Sequence, residues 1–247
     1  MSTSSSSSSG GWHPLGSSVY GALESSVYAI AVSGTNVYVG GWFTDAGGNP
    51  NADRIARWDA STNTWHSLGT GVNSVVYAIA VSGTDVYVGG SFTDAGGNLD
   101  ADYIARWDAS TNTWHSLDDG VSGVVYAIAV SGTDVYVGGW FTDAGGNPNA
   151  DFIARWDAST NTWHPLGTGV NSGVYAIAVS GTNVYVGGRF TRAGGSHAYH
   201  VARWDANTNT WHPLGTGVNS VVYAIAVSGT DVYVGGWLTQ ERGATQI

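Results

Sequence analysis

The apolar and polar positions of this chain fall into short alternating runs. Residues 27–32 read VYAIAV, with valine and alanines alternating against tyrosine, isoleucine and valine. Both faces are apolar, so the run predicts a strand buried on both sides. Ser33-Gly34-Thr35-Asn36 predicts a tight turn, and Asn or Asp fills its last place in every later copy. Residues 37–44 form a second apolar run broken by Gly40-Gly41, and a Gly- and Asn-rich loop follows over residues 45–53. Residues 54–59 alternate again, with Arg57 and Asp59 on one face and Ala56 and Trp58 on the other. A Ser/Thr/Asn turn over residues 60–63 leads to a fourth strand, residues 64–68. No segment has helical spacing.

The same unit then recurs almost letter for letter. Its tyrosine returns as Tyr28, Tyr77, Tyr126, Tyr175 and Tyr223, a period of about 49 residues, with copies starting near residues 27, 76, 125, 174 and 222. A fixed period of this length with four short antiparallel strands per copy describes a propeller blade. The expectation is an all-β fold: a five-bladed β-propeller of four-stranded antiparallel blades. In each copy a Gly40-Gly41 doublet follows an apolar strand, then come Trp58-Asp59 and, after six intervening residues, Trp65. The marks recur at Gly89-Gly90/Trp107/Trp114, Gly138-Gly139/Trp156/Trp163 and Gly187-Gly188/Trp204/Trp211. This pattern resembles the kelch repeat, and also the I-A-x-W-D repeat propellers of secreted bacterial proteins. The resemblance implies the fold and leaves the function open, because such propellers serve many roles.

The ends do not follow the repeat. Residues 12–16, WHPLG, match residues 163–167, a fourth strand. Residues 12–26 are therefore expected to supply a closing strand and connector, with the closing strand outermost on a last blade that lacks its own third strand. The tail, residues 238–247, departs from the repeat; TQERGATQI reads as a frame-shifted copy of TRAGGNPN. An incomplete blade leaves an unpaired edge, from which self-association is expected. Residues 1–11 form a serine-rich leader without the apolar core of a secretory signal.

Composition narrows the functional classes. The formal net charge is -10, and all eight basic residues are arginine. An acidic, lysine-free surface argues against nucleic acid and anionic membrane as partners. No apolar run reaches the roughly 20 residues of a membrane helix, so no membrane insertion is expected. With no cysteine there is neither a disulfide nor a Cys–Tyr radical centre. Enzyme sites on propellers draw unlike residues from different blades, whereas these copies are nearly the same, so no catalytic residue and no cofactor is expected.

Several candidate binding groups remain. The loop pattern Asp45, Asn49, Asn51, Asp53 recurs as Asp94, Asn98, Asp100, Asp102 and as Asp143, Asn147, Asn149, Asp151; alternating oxygens of this kind are candidate calcium ligands, set against ordinary Asx turns. Five histidines, His13, His66, His115, His164 and His212, occur once per blade and so lie spread around the rim. Trp42, Trp140 and Trp237 follow the double glycine, where Ser91 and Arg189 stand in the other copies. This tolerance places the position at the surface, where tryptophan suits a sugar or a protein partner. The fourth copy alone carries Arg189, Arg192, His197, Tyr199 and His200, a basic and aromatic cluster suited to a carboxylate or an acidic loop.

The expected function is a non-enzymatic binding or scaffold propeller with a protein or glycan partner. A multivalent lectin with equal sites is the alternative. A third reading is a recently amplified repeat without a selected role in this truncated form.

Overall fold

Each of the first four copies of the repeat folds as a meander in which a left-handed glycine turns the first hairpin and a left-handed asparagine the last. The computed structural model describes residues 25–239 together with Leu15 and Leu23. In the first blade the strands are β1 (Ser26–Ser33), β2 (Asn36–Trp42), β3 (Ile55–Asp59) and β4 (Thr64–Ser67), paired antiparallel in that order. Gly34 turns β1 into β2 at φ 59° and Asn63 turns β3 into β4 at φ 54°. The unit repeats with inner strands Val76–Ser82, Val124–Ser131, Val174–Ser180 and Val222–Ser228. Four blades are complete. The fifth has two strands among the described residues, Val222–Ser228 and Asp231–Gly236. The chain is an all-β propeller of repeated blades.

The core lies between blades. The cluster between blades one and two joins Tyr38, Ile55, Leu68 and Val72 of one to Val76, Val86, Phe92 and Trp107 of the next, and equivalent clusters follow. The double glycine serves this packing twice. A Cβ on Gly40 would overlap Val76 of the next blade and come within 2.9 Å of Ile79 Cδ1. A Cβ on Gly41 would strike the carbonyl of Ser26, where the β1–β2 register shifts at a bulge. So the first glycine admits the neighbouring blade and the second admits the blade's own inner strand. Paired tryptophans tie the outer part of each seam: Trp58 and Trp65 lie 5.4 Å apart, and Trp114 Nε1 donates to Leu68 O of the preceding blade at 2.9 Å.

Three sequence expectations are corrected or sharpened. Arg57 and Asp59, read as same-face neighbours, bond to different partners. Arg106 and Arg155 reach across to Asp85 and Asp134 on the second strand, at 2.9 and 2.7 Å. Arg57 and Arg203 donate to asparagines at the same place, while Asp59 accepts from the amide and hydroxyl of Ser61. The histidines after tryptophan are held locally; His66 Nε2 lies 2.9 Å from Thr64 Oγ1, and the other described copies repeat this.

The third concerns β1, predicted to be buried on both sides. Val76 is fully buried, but its counterpart Val27 is 37% exposed and Ile30 is 63% exposed. Each inner strand packs on the next around the ring, yet among the described residues no such packing joins Val222–Ser228 to β1. The predicted closing strand, residues 12–16, lies outside the described residues except Leu15. Its carbonyl accepts from Trp65 Nε1 at 3.3 Å, as Leu68, Leu117 and Leu166 do for the later tryptophans. The expected tail irregularity lies outside them from residue 240 onward.

Candidate functional site

The inner strands all start at one end of the blades, here the upper face, and that face is where the copies differ. Ser26 opposes Trp42 across β1 and β2. Arg54 lies directly across from Trp42, because its carbonyl accepts from Gly41 N and its amide donates to Phe43 O. The same bonds place Tyr103 across from Ser91, Phe152 across from Trp140 and His200 across from Arg189. Each blade therefore presents a pair of side chains on an identical frame: Trp42/Arg54, Ser91/Tyr103, Trp140/Phe152 and Arg189/His200.

The pairs are partly exposed, and two of them, Trp42/Arg54 and Trp140/Phe152, are in side-chain contact. The Arg54 guanidinium sits 4.3 Å above the Trp42 ring, a cation–π contact. Trp140 meets Phe152 edge-on at 5.7 Å and leans over Gly173 at the entrance of the next blade. Trp237, 75% exposed, meets Tyr223 at 6.2 Å. Arg54, Tyr103, Phe152 and His200 all have positive φ, between 60° and 66°, so this position is held by its backbone bonds and not by side-chain preference. Three residues of this face, Arg54, Tyr103 and Phe152, are not among the sequence candidates. The signal that identifies them is that the residue before the third strand differs in every copy.

Beneath the pairs a ladder of tyrosines lines the axis. Tyr28, Tyr77, Tyr126, Tyr175 and Tyr223 follow one another with ring centroids 5.3–5.5 Å apart. Burial pushes the Tyr126 and Tyr175 phenols up, and the neighbouring tyrosines push the same way; Arg189 partly opposes this at Tyr175.

Six of the twelve candidate calcium ligands accept hydrogen bonds from their own loops, while Asp102 Oδ1 is buried without a partner among the described residues. Asp53 Oδ1 accepts from Asp45 N at 2.9 Å, and Asn49, Asn98 and Asn147 accept from the amides of Asn51, Asp100 and Asn149. Asp94 and Asp143 accept from Gly97 and Gly146. These are the Asx turns weighed against calcium. Among the described residues no three His, Asp or Glu side chains gather as a ligand set.

A cleft lies between the long loop and the connector to the next blade, and its charge differs between blades. In blade two it encloses about 790 Å³ beside Asp100, Asp102, Asp118, Asp119 and Asp143. In blade four the corresponding cleft encloses about 330 Å³ beside Tyr199, His200, Thr216 and Asn219. There Arg192 replaces the loop's first aspartate and Tyr199 its last. His197 and Tyr199 stack at 5.9 Å, Arg192 Nη1 donates to Gly195 O at 3.0 Å, and His200 Nδ1 is buried without a partner. The structure thus brings Arg189 and His200 together as one pair and His197 and Tyr199 as another, while Trp42, Trp140 and Trp237 stay on separate blades.

Fold and face together define a repeat β-propeller with a constant frame and a varied upper surface. Residues 67–180 match the family model of the Rax2 C-terminal beta propeller domain. Among solved structures, the chain is similar to the computationally designed Ika8 protein, at 20% identity and TM-score 0.51 over 85% of this chain and 67% of that one. It is also similar to the computationally designed Ika4 protein, at 22% identity and TM-score 0.47 over 68% of this chain and 88% of that one. No curated protein sequence matches the chain.

Proposed function

We propose that this chain is a non-enzymatic binding propeller whose partner seats on the upper face and is read by the blade-to-blade pairs. One observation carries the reading: the copies share their core and seams but differ at facing positions, Trp42/Arg54 through Arg189/His200, on one surface. Packing accounts for the constancy, since every seam needs the same contacts. The pairs are only partly buried, so packing places no comparable demand on them, and recognition does.

The pairs are unlike one another, which favours one extended partner over several equal ligands. The face also carries an acidic cleft in blade two and a basic, aromatic corner in blade four. A protein with acidic side chains toward Arg189, Arg192 and His200 fits that corner. The double glycine and the paired tryptophans support reading the blades as kelch-like. The multivalent lectin remains a second reading, favoured by the exposed rings of Trp42, Trp140 and Trp237.

The test erases the variation. A variant carrying Ser91→Trp, Arg189→Trp, Arg54→Phe, Tyr103→Phe and His200→Phe gives the first four blades the pair of blade three. Wild type and variant are screened against protein and glycan arrays, with stoichiometry by calorimetry. The reading expects a protein ligand, bound once per chain by wild type and lost in the variant. Binding that survives the variant overturns it, and several equal glycan sites per chain favour the lectin.

A further inference from the structure

We infer that the open faces of the first and last blades form a head-to-tail interface with a second copy of this chain. The inference rests on the end blades and is independent of the upper-face reading.

Every seam in the molecule is built from the same two surfaces. The trailing surface of one blade offers a buried tyrosine and the socket at its first glycine: Tyr38 with Gly40, Tyr87 with Gly89, Tyr136 with Gly138. The leading surface of the next offers a valine and an isoleucine: Val76 with Ile79, Val125 with Ile128, Val174 with Ile177. Gly187 likewise receives Val222 and Ile225. These seams bury Tyr38, Tyr87 and Tyr136 to 2% exposure.

The chain carries one more of each surface, and among the described residues no other blade packs on either. On blade five Tyr233 is 58% exposed, and around Gly235 a Cβ would meet, among the described residues, only the blade's own Ala224 Cβ, at 3.7 Å. On blade one Val27, Ile30 and Val32 are exposed, although Leu15 and Leu23 cover other parts of that blade. The residues of the unused socket and knobs are those of the filled ones, so the surface that fits blade five is the leading surface of a first blade. A monomeric protein rarely leaves such a contiguous apolar face in water. A second copy supplies the missing surface with the contacts the fold already makes four times. The contact is heterologous: it joins unlike surfaces, and its repetition closes a ring or continues as an open superhelix.

The asymmetry supplies the experiment. Gly235→Val fills the socket, where the fold has room, and leaves the leading surface intact. Ile30→Asp charges the leading surface at an exposed position and leaves the socket intact. Light scattering of the full chain at micromolar concentration should show multimers for wild type and monomers for each variant, with thermal midpoints and circular dichroism preserved. Mixing the two variants should restore one interface and stop at a dimer, because each partner has a blocked end. A monomeric wild type overturns the inference. So do multimers that persist in either variant, and a mixture that stays monomeric.

Discussion

The five glycines that begin each doublet provide an internal comparison. Gly40, Gly89, Gly138, Gly187 and Gly235 occupy the same place in the same strand, and none has a left-handed backbone. Replacement by alanine adds one methyl group at each. At Gly138 that methyl overlaps Val174 and comes within 3.0 Å of Ile177 Cδ1; at Gly235 its nearest neighbour is Ala224 Cβ at 3.7 Å, ordinary contact. Val174 is fully buried and β-branched, so it does not swing aside. Overpacking of this kind costs about 1–3 kcal/mol. The Gly235→Ala change meets no such cost and gains about 0.4–1 kcal/mol from the narrowed unfolded chain. For a chain of this size a kilocalorie moves the midpoint by about 2–4 °C. Gly138→Ala should therefore lower it by about 2–12 °C, with Gly40→Ala, Gly89→Ala and Gly187→Ala close behind, while Gly235→Ala leaves it level or slightly raised. Thermal unfolding followed by tryptophan fluorescence, in solutions dilute enough to hold single chains, reads the difference. Equal losses at Gly138 and Gly235 would refute the reasoning, because blade five would then have a neighbour packed in its socket.

Further outcomes follow from the seams and turns. Trp163→Phe removes the donor to Leu117 O at 2.9 Å and should cost about 1 kcal/mol by urea denaturation, more than Trp65→Phe, whose bond to Leu15 O is longer and exposed. Arg155→Met breaks a partly exposed ion pair with Asp134 and should cost no more than about 1 kcal/mol, with a smaller difference in high salt. The Ser110 hydroxyl and amide, bonded to Asp108, hold its carboxyl down at about 2. Since the folded value lies below the unfolded one, this turn's contribution is complete above the ordinary carboxylate range and is lost as pH falls toward 2. Ser110→Ala should move the Asp108 titration upward in a carbon-detected NMR experiment; an unmoved titration contradicts the assignment. Burial pushes the Tyr87 and Tyr136 phenols up, with smaller upward pushes from Asp85 and Asp134. Their protonated form is favoured in the fold, so stability should hold below the ordinary phenol range and fall as pH rises through it, tracked by tyrosinate absorbance.

Much of the blade is legible in the letters. The run VYAIAV, the SGT turn and the paired tryptophans each respond to forces within a few residues, and the period multiplies one local solution. The candidate face is only half legible. Trp42, Trp140 and Trp237 stand out by size, and the fourth copy's cluster stands out by charge. Arg54, Tyr103 and Phe152 become neighbours of those residues only through the bonds between the second and third strands, across the whole loop. The engagement of Arg106 with Asp85 shows the same limit. Arg106 and Asp108 share a strand face, but the strand pairing sets Asp85 directly opposite Asp108, and the guanidinium takes that oxygen while Ser110 takes Asp108.

What the amino-acid order determined alone is the blade: its strands, turns and glycine pair, because those depend on period, sterics and nearest neighbours. What only the tertiary structure decided is how identical letters come to differ. Val27 and Val76 have the same side chain and the same local sequence ahead of them, yet one meets water and the other meets Gly40. Burial belongs to a position in the ring, and a repeat cannot encode which of its copies will stand at the end.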